Sequence, residues 1–446
     1  MAYRVGCISL GCEKNRVDAE MMMASLEREG FQLVDDVAMG DAAIVNTCGF
    51  IESAKQESIE EILELAKLKE EGRIKAIVVT GCLAERYQQE IAKELPEVNA
   101  VVGIGANKEI ARIVREALEG KRIETFPPKC ELPLEGERVQ STPSYFSYLK
   151  IAEGCDNHCT YCAIPLIRGG YRSRKMEDIL AEAEKLAQWG VKELMVIAQD
   201  TTRYGEDLYG EGKLPQLLTE LCKVEGICWI RVLYCYPEEI TDELIEVIRT
   251  EPKICHYLDM PIQHSSDRIL KRMGRRTSRK ELEEVIGKLR REIPDIALRT
   301  TLISGFPGET EADQEDLKSF IQTIQFDRLG VFTYSPEEGT PAAAMENQIP
   351  EDVKAERRDE LMALQQRISE EKTGNMVGKV LKVLVEGRIP EEGIYVGRTY
   401  RDAPDVDGYV FLDAEEEIIS GDFVTAKITG ADEYDLTGEV LYEFTE

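Results

Sequence analysis

Three cysteines stand close enough together to do metal chemistry. They occupy the run Gly154-Cys155-Asp156-Asn157-His158-Cys159-Thr160-Tyr161-Cys162, with three residues and then two between the thiols. Thiolates in one short loop can close around a cubane iron–sulfur cluster. Three ligands leave the fourth iron without a protein partner, and an open coordination position is what lets a metal centre bind and activate a small molecule. A zinc ion or three merely buried cysteines are the competing readings. Zinc asks for a fourth protein ligand, usually from a second paired motif. His158 lies between the thiols, a poor place for that ligand.

A second set is scattered. Cys12 lies in Ser9-Leu10-Gly11-Cys12, Cys48 in Asn46-Thr47-Cys48-Gly49, and Cys82 in Thr80-Gly81-Cys82-Leu83. Each follows a short apolar run with the character of a strand, and each has a glycine beside it or one residue away. If those runs are neighbours in one parallel sheet, the three thiols gather at its carboxyl edge, where such sheets bind ligands. That geometry favours a second cluster. The alternative is three loop cysteines that happen to follow strands. Cys7, Cys130, Cys222, Cys228, Cys235 and Cys255 have no companion spacing and read as small apolar residues.

The elements that must position these thiols can be read from the hydrophobic rhythm. Residues 1 to about 120 alternate strands (3–9, 42–46, 74–80, 100–104) with amphipathic helices (17–29, 53–69, 85–94, 108–119). This pattern predicts βαβ units and a doubly wound, flavodoxin-like parallel sheet. Pro127, Pro128, Pro133 and Pro143 then mark a connecting segment. Six more strand–helix units follow, with strands near 148–152, 193–198, 228–233, 257–260, 297–303 and 330–334. They predict an incomplete (βα)6 barrel, with the triple-cysteine loop after its first strand, at the end where barrel chemistry sits. Residues 351–372 predict a mostly polar connecting helix. From 377 onward, short alternating runs without helices predict a small antiparallel β-barrel of the OB type.

Composition narrows the function. The 446 residues suffice for two or three domains. No apolar run approaches a bilayer span, and the N-terminus lacks a signal-peptide layout. The expected location is the cytoplasm, where twelve cysteines suggest metal or redox chemistry rather than disulfides. Lys and Arg total 55 against 85 Asp and Glu, a formal charge of −30. Such a surface repels nucleic acid and attracts a basic partner. Simple solubility is the bland explanation of the same charge.

With both cysteine sets in order, the whole chain resembles the methylthiotransferase family of radical S-adenosylmethionine enzymes. The resemblance is carried by Ser9-Leu10-Gly11-Cys12-Glu13-Lys14-Asn15-Arg16-Val17-Asp18, by Ile151-Ala152-Glu153-Gly154-Cys155, and by Ala163-Ile164-Pro165 with Arg168-Gly169 and Arg172-Ser173-Arg174. These segments are most similar to the branch that modifies an aspartate of a small-subunit ribosomal protein. Glu13 departs from the pattern, which more often has proline there. The resemblance implies three domains: 1–142 with an auxiliary cluster, 143–375 as the radical barrel, and 376–446 as a TRAM domain. It implies two 4Fe-4S clusters, one on Cys155, Cys159 and Cys162 and one on Cys12, Cys48 and Cys82. S-adenosylmethionine would bind the open iron of the first, be cleaved to a 5′-deoxyadenosyl radical, and also supply the methyl group. The second cluster would present the sulfur. Beyond the cluster ligands no catalytic side chain is implied.

Gln199 and Asp200 end the second barrel strand, Arg299 lies on the fifth, and Gly305 opens Gly305-Phe306-Pro307-Gly308-Glu309-Thr310. Gln199, Arg299 and Gly305 are the candidate S-adenosylmethionine contacts, with Gln263 and His264 of the same standing. Each is also what an ordinary strand end or Gly/Pro turn would look like. Ser335-Pro336-Glu337-Glu338-Gly339-Thr340-Pro341 matches the family without a mechanistic role.

The expected reaction is transfer of a methylthio group to the β-carbon of an aspartate in a basic ribosomal protein. It needs an external electron donor and a sulfur source. Methylthiolation of an adenosine in transfer RNA is the rival, and an iron–sulfur electron carrier is a third reading. Residues 376–446 hold six basic and 17 acidic side chains, a balance of −11. An RNA-gripping module needs the opposite sign, so nucleic acid is not the expected substrate. Asp402, Asp405 and Asp407 in one loop and Glu415, Glu416 and Glu417 in another are the expected contacts for a cationic partner.

Overall fold

The computed structural model describes residues 2–442. Its first sheet contains β1 (Arg4–Ser9), β2 (Gln32–Leu33), β3 (Ala42–Thr47), β4 (Ala76–Gly81), β5 (Ala100–Val102) and β6 (Ile123–Thr125). All neighbours are parallel and the order is β2-β1-β3-β4-β5-β6, the doubly wound flavodoxin-like arrangement. Helices cover both faces because side chains alternate along each strand. Ile44 and Val78 meet α1 (Glu13–Arg28), through Met22 and Leu26. Val45 and Val79 meet α2 (Glu52–Glu70) and α3 (Cys82–Glu94), through Ile62, Leu65 and Leu83. Edge strands β2 and β6 escaped the sequence reading because two or three residues are too few to show a period.

The barrel comprises β7 (Phe146–Lys150), then the two-residue pair β8 (Ala152–Glu153) and β9 (Arg172–Ser173), then β10 (Glu193–Ile197), β11 (Trp229–Val232), β12 (Ile254–Asp259), β13 (Ala297–Ser304) and β14 (Arg328–Thr333). Its main sheet runs β14-β13-β12-β11-β10-β7, and β14 does not return to β7, so the barrel is open on one side. Outward-facing Leu149, Val196, Val232, Leu258 and Leu298 join the helices in one core. Inward-facing Tyr148, Met195, Trp229 and Tyr257 line the interior. The helix Glu351–Gly374 is polar in sequence, yet it lays Leu361, Leu364 and Ile368 against Leu329 and Val331 of β14.

Residues 376 onward form a closed barrel of β15 (Val380–Ile389), β16 (Ile394–Thr399), β17 (Val410–Asp413), β18 (Phe423–Ala431) and β19 (Leu436–Val440). The expectation of an antiparallel barrel meets one exception, since β17 and β19 pair in parallel. A ring of five strands cannot alternate direction all the way round, so one parallel pair is a matter of parity. Glu443 and Glu446, counted in the charge balance, lie outside the described residues.

One expectation about this barrel is corrected. Asp402 and Asp407 are not rim charges: their side chains are each only 2% exposed. Asp402 pairs with Arg328 at 2.5 Å. Asp407 accepts from Tyr257 Oη at 2.7 Å and lies 3.5 Å from Arg299. Glu193 of β10 adds a fully buried link, bonding both Arg231 (2.9 Å) and Arg398 (2.7 Å). The barrel interior presents arginines, and the loop after β16 supplies the acids that neutralise them. Asp405 and Glu415, Glu416 and Glu417 are exposed as expected. Among the described residues no helix is long and apolar enough to cross a membrane.

Candidate functional site

Register brings the scattered cysteines together. Ser9 of β1 sits beside Asn46 of β3, and Thr47 sits beside Gly81 of β4. Cys12, Cys48 and Cys82 therefore leave three adjacent strands at one edge, next to the point where strand order reverses between β1 and β3. Asn15 holds the first loop in place, its Nδ2 donating to Leu10 O at 2.7 Å and Asn46 O at 3.2 Å. Cys48 N donates to Ser58 Oγ at 3.0 Å. Gly11 has φ +84°, and a Cβ there would lie 2.7 Å from Cys48 Sγ, so only glycine lets these loops approach.

The other three thiols are held by their own loop. Amides point at sulfur: Asn157 N at 3.5 Å from Cys155 Sγ, and Ile164 N at 3.5 Å from Cys162 Sγ. Asn157 Nδ2 donates to buried Asp200 at 2.6 Å, and Thr160 N to Met273 O at 2.9 Å. Gly154 has φ +79° and its missing Cβ would fall 2.1 Å from Gly170 O.

Burial disfavours a free thiolate at four of the six cysteines, which argues against their acting as free nucleophiles. Burial pushes the Cys155 thiol up to about 11 and the Cys82 thiol up to about 12, and raises Cys48 and Cys162 as well. Thiols in such surroundings ionise only when a metal centre takes the charge. Among the described residues no three His, Cys, Asp or Glu close tightly enough for one metal ion.

The two sheets meet carboxyl edge to carboxyl edge, so the two cysteine sets face each other across the domain interface. Tyr234, just after β11, donates from Oη to Glu13 at 2.8 Å, while Lys14 Nζ lies 3.0 Å from its ring centroid. Lys150 bridges Asp18 and Glu153. The helix α4 (Ile110–Leu118) lies in the first domain, and α5 (Ile164–Arg168) follows Cys162 in the second. Arg168 reaches Asp18 and Glu153, and donates from Nη2 to Asn15 Oδ1 at 2.9 Å and Cys82 Sγ at 3.3 Å. Burial disfavours the charged form of Glu153, but Lys150 and Arg168 together hold it down at about 2. Glu337 anchors the segment after β14, at 2.6 Å from Arg86 and 3.2 Å from Lys55 of the first domain. Nothing in the sequence gives Ser335–Pro341 a role or shows that Asp18, Lys150 and Glu153 pair. A lysine inside an apolar strand was the available signal for Lys150.

The cofactor candidates separate. Gln199 sits at the triple-cysteine loop, its Nε2 donating to Glu153 at 2.5 Å and its buried Oε1 lacking a partner. Gly305, with φ +72°, donates its amide to Glu309 at 2.9 Å beyond β13. Arg299 is paired with Asp259 at 2.9 Å and with Asp407, which ties it to the C-terminal barrel. His264 is buried, accepting the amides of Ser265 and Ser266 at Nδ1, with Nε2 facing Glu309 at 3.7 Å. Gln263 has φ +71° and bridges to Leu302.

Comparison with known proteins agrees with this architecture. Residues 4–103 match the uncharacterized protein family UPF0004, residues 149–321 the Radical SAM superfamily, and residues 377–441 the TRAM domain. Among solved structures, the radical S-adenosylmethionine methyltransferase TsrM from Kitasatospora setae, with cobalamin and a [4Fe-4S] cluster bound, has TM-score 0.56 at 15% identity, covering 77% of each chain. That likeness is one of fold. Ribosomal protein uS12 methylthiotransferase RimO from Lachnoclostridium phytofermentans is 56% identical, covering 97% of this chain and 98% of that one. The RimO of Clostridioides difficile is 52% identical over 99% of both. Identity at this level, sustained across all three domains, shows that the chain belongs to the RimO methylthiotransferase family of radical S-adenosylmethionine enzymes.

Proposed function

We propose that this protein transfers a methylthio group to the β-carbon of an aspartate in the small-subunit ribosomal protein uS12, which its relatives are named for modifying. The observation that carries the reading is the meeting of two cysteine triads across one domain interface. Cys155, Cys159 and Cys162 would hold the 4Fe-4S cluster that engages S-adenosylmethionine, and Cys12, Cys48 and Cys82 the auxiliary 4Fe-4S cluster. When bound, these groups supply the electron for adenosyl cleavage and an iron for sulfur delivery. The chain's part is to bind, orient and shield. Gln199 Oε1, buried and unpartnered, offers an acceptor to the S-adenosylmethionine amino group, and the Gly305 turn offers backbone beside the adenosyl end. Arg299, held by Asp259 and Asp407, stays a proposed contact.

We divide the chain at 142/143 and 375/376, a reading supported by the stretch between β6 and β7 and by the end of the long helix before β15. The exposed acidic residues, Asp405 and Glu415 to Glu417, suit a basic protein partner, and a ribosomal-protein substrate points to the cytoplasm. An electron donor and a sulfur source act from outside. Transfer RNA is disfavoured by the −11 balance of residues 376–446. Mass spectrometry of uS12 from a strain lacking this protein tests the reading. Loss of a methylthio mass from one aspartate is expected, and an unchanged uS12 with altered transfer RNA adenosine would overturn it.

A further inference from the structure

One short helix touches both triads. At the start of α5, Ile164 N lies 3.5 Å from Cys162 Sγ, and at its end Arg168 Nη2 lies 3.3 Å from Cys82 Sγ. Five residues of helix span only about 7 Å, so the link is short and stiff. It is also dry: Ala163 and Ile167 pack directly on Cys82, and Arg168 is 2% exposed. The guanidinium is held from several sides by Asp18, Glu153 and Asn15. Those contacts fix its orientation and leave Nη2 aimed at sulfur.

The contact is selective. Among the described residues, Cys82 is the only thiol of its triad whose sulfur receives a hydrogen bond from a charged side chain. Hydrogen bonds to cluster sulfurs, net charge and burial are what set iron–sulfur reduction potentials. A cationic donor on a thiolate draws electron density from the iron and favours the reduced, more negative cluster. In a buried site that influence is weakly screened.

We infer that Arg168 is a positioning residue of the auxiliary site: carried on the helix of the radical loop, it raises the reduction potential of the cluster held by Cys12, Cys48 and Cys82. The inference rests on the reading that these three cysteines hold that cluster. It gives the two sites a fixed electronic relation, because the residue that tunes one grows from the loop that builds the other.

The test uses the full chain carrying Cys155→Ala, Cys159→Ala and Cys162→Ala, reconstituted without oxygen so that only the auxiliary cluster remains. Its midpoint potential is followed by electron paramagnetic resonance in a redox titration. Arg168→Gln should move the potential down, so that at the parent midpoint the reduced-to-oxidised ratio falls about tenfold, or about 59 mV for one electron. Arg168→Lys, which keeps the charge, should move it less. Because Arg168→Gln leaves Asp18 and Glu153 under-neutralised, the pair Asp18→Asn with Arg168→Gln is the charge-balanced control; it should still move the potential down, by less than the single variant, because only the hydrogen bond to Cys82 is lost. An unchanged potential in that pair, with full iron, overturns the inference. So does loss of iron from the pair with an unchanged melting curve, which would make Arg168 an assembly residue. If the parent with Arg168 intact binds no iron, the ligand assignment itself is wrong, a failure distinct from either.

Discussion

The two cysteine triads are built in opposite ways. Cys155, Cys159 and Cys162 lie within eight consecutive residues and are aligned by amides and turns of their own loop. Cys12, Cys48 and Cys82 span 71 residues, and only the register of β1, β3 and β4 makes them neighbours. In the local site the spacing of the thiols is set by one stretch of chain, and contacts to Asp200 and Met273 only anchor it. A site assembled from strand ends inherits every displacement of the sheet.

The largest effect is expected from Cys155→Ala, Cys159→Ala and Cys162→Ala together. Iron in reconstituted protein should fall from about eight to about four per chain, and formation of 5′-deoxyadenosine should cease. Continued 5′-deoxyadenosine would remove the radical triad from the account.

Glycine substitutions separate the sites next. Gly154→Ala forces a Cβ to 2.1 Å from Gly170 O, while Gly11→Ala forces one to 2.7 Å from Cys48 Sγ. Each also places a side chain at positive φ, at a cost of roughly 1–2 kcal/mol before the clash. Iron analysis should show each variant losing about half its iron. Adenosyl cleavage should fail in Gly154→Ala and persist in Gly11→Ala.

A smaller effect is expected far from both triads. Asp402→Ala strands Arg328, whose side chain is 9% exposed. Breaking such a buried pair costs about 3 kcal/mol. Calorimetry should show a lower melting temperature with iron content unchanged. Burial opposes ionisation of Asp402, but Arg328 outweighs it and holds the carboxyl below its ordinary range. Its stabilisation is therefore full above the usual carboxylate pKa and is lost as pH falls through the lowered value. Asp402→Asn should flatten that acid limb of the stability curve.

The smallest effect belongs to the exposed rim. Changing Glu415, Glu416 and Glu417 to lysine should slow capture of the basic substrate severalfold at low salt and weaken the salt dependence, leaving adenosyl cleavage intact. Stopped-flow association across a salt series measures it.

Much of this was legible in the sequence, and the triads again show why. Spacing alone singled out the triple-cysteine loop. The auxiliary set needed the inference that three apolar runs pair in parallel, and strands with side chains buried on both faces show that plainly. What the sequence withheld was pairing across domains. Arg299 stands on a barrel strand, and its partner Asp407 is more than 100 residues away. Asp402 and Asp407 read as surface charges because they stand in a polar loop, and only the docked barrel shows them buried. Charge is one-dimensional in sequence, whereas neutralisation depends on which domains touch. Glu13, the departure from the family pattern, likewise finds its reason across the interface, accepting from Tyr234.

The central claim is that the two triads face each other but divide the work. It is tested most directly by Cys12→Ala, Cys48→Ala and Cys82→Ala in one chain. This variant is incubated without oxygen with S-adenosylmethionine, a reductant, a sulfide source and uS12. The account predicts about four irons per chain, continued 5′-deoxyadenosine, and no methylthio mass on uS12. A full complement of iron, or methylthiolated uS12, would contradict it.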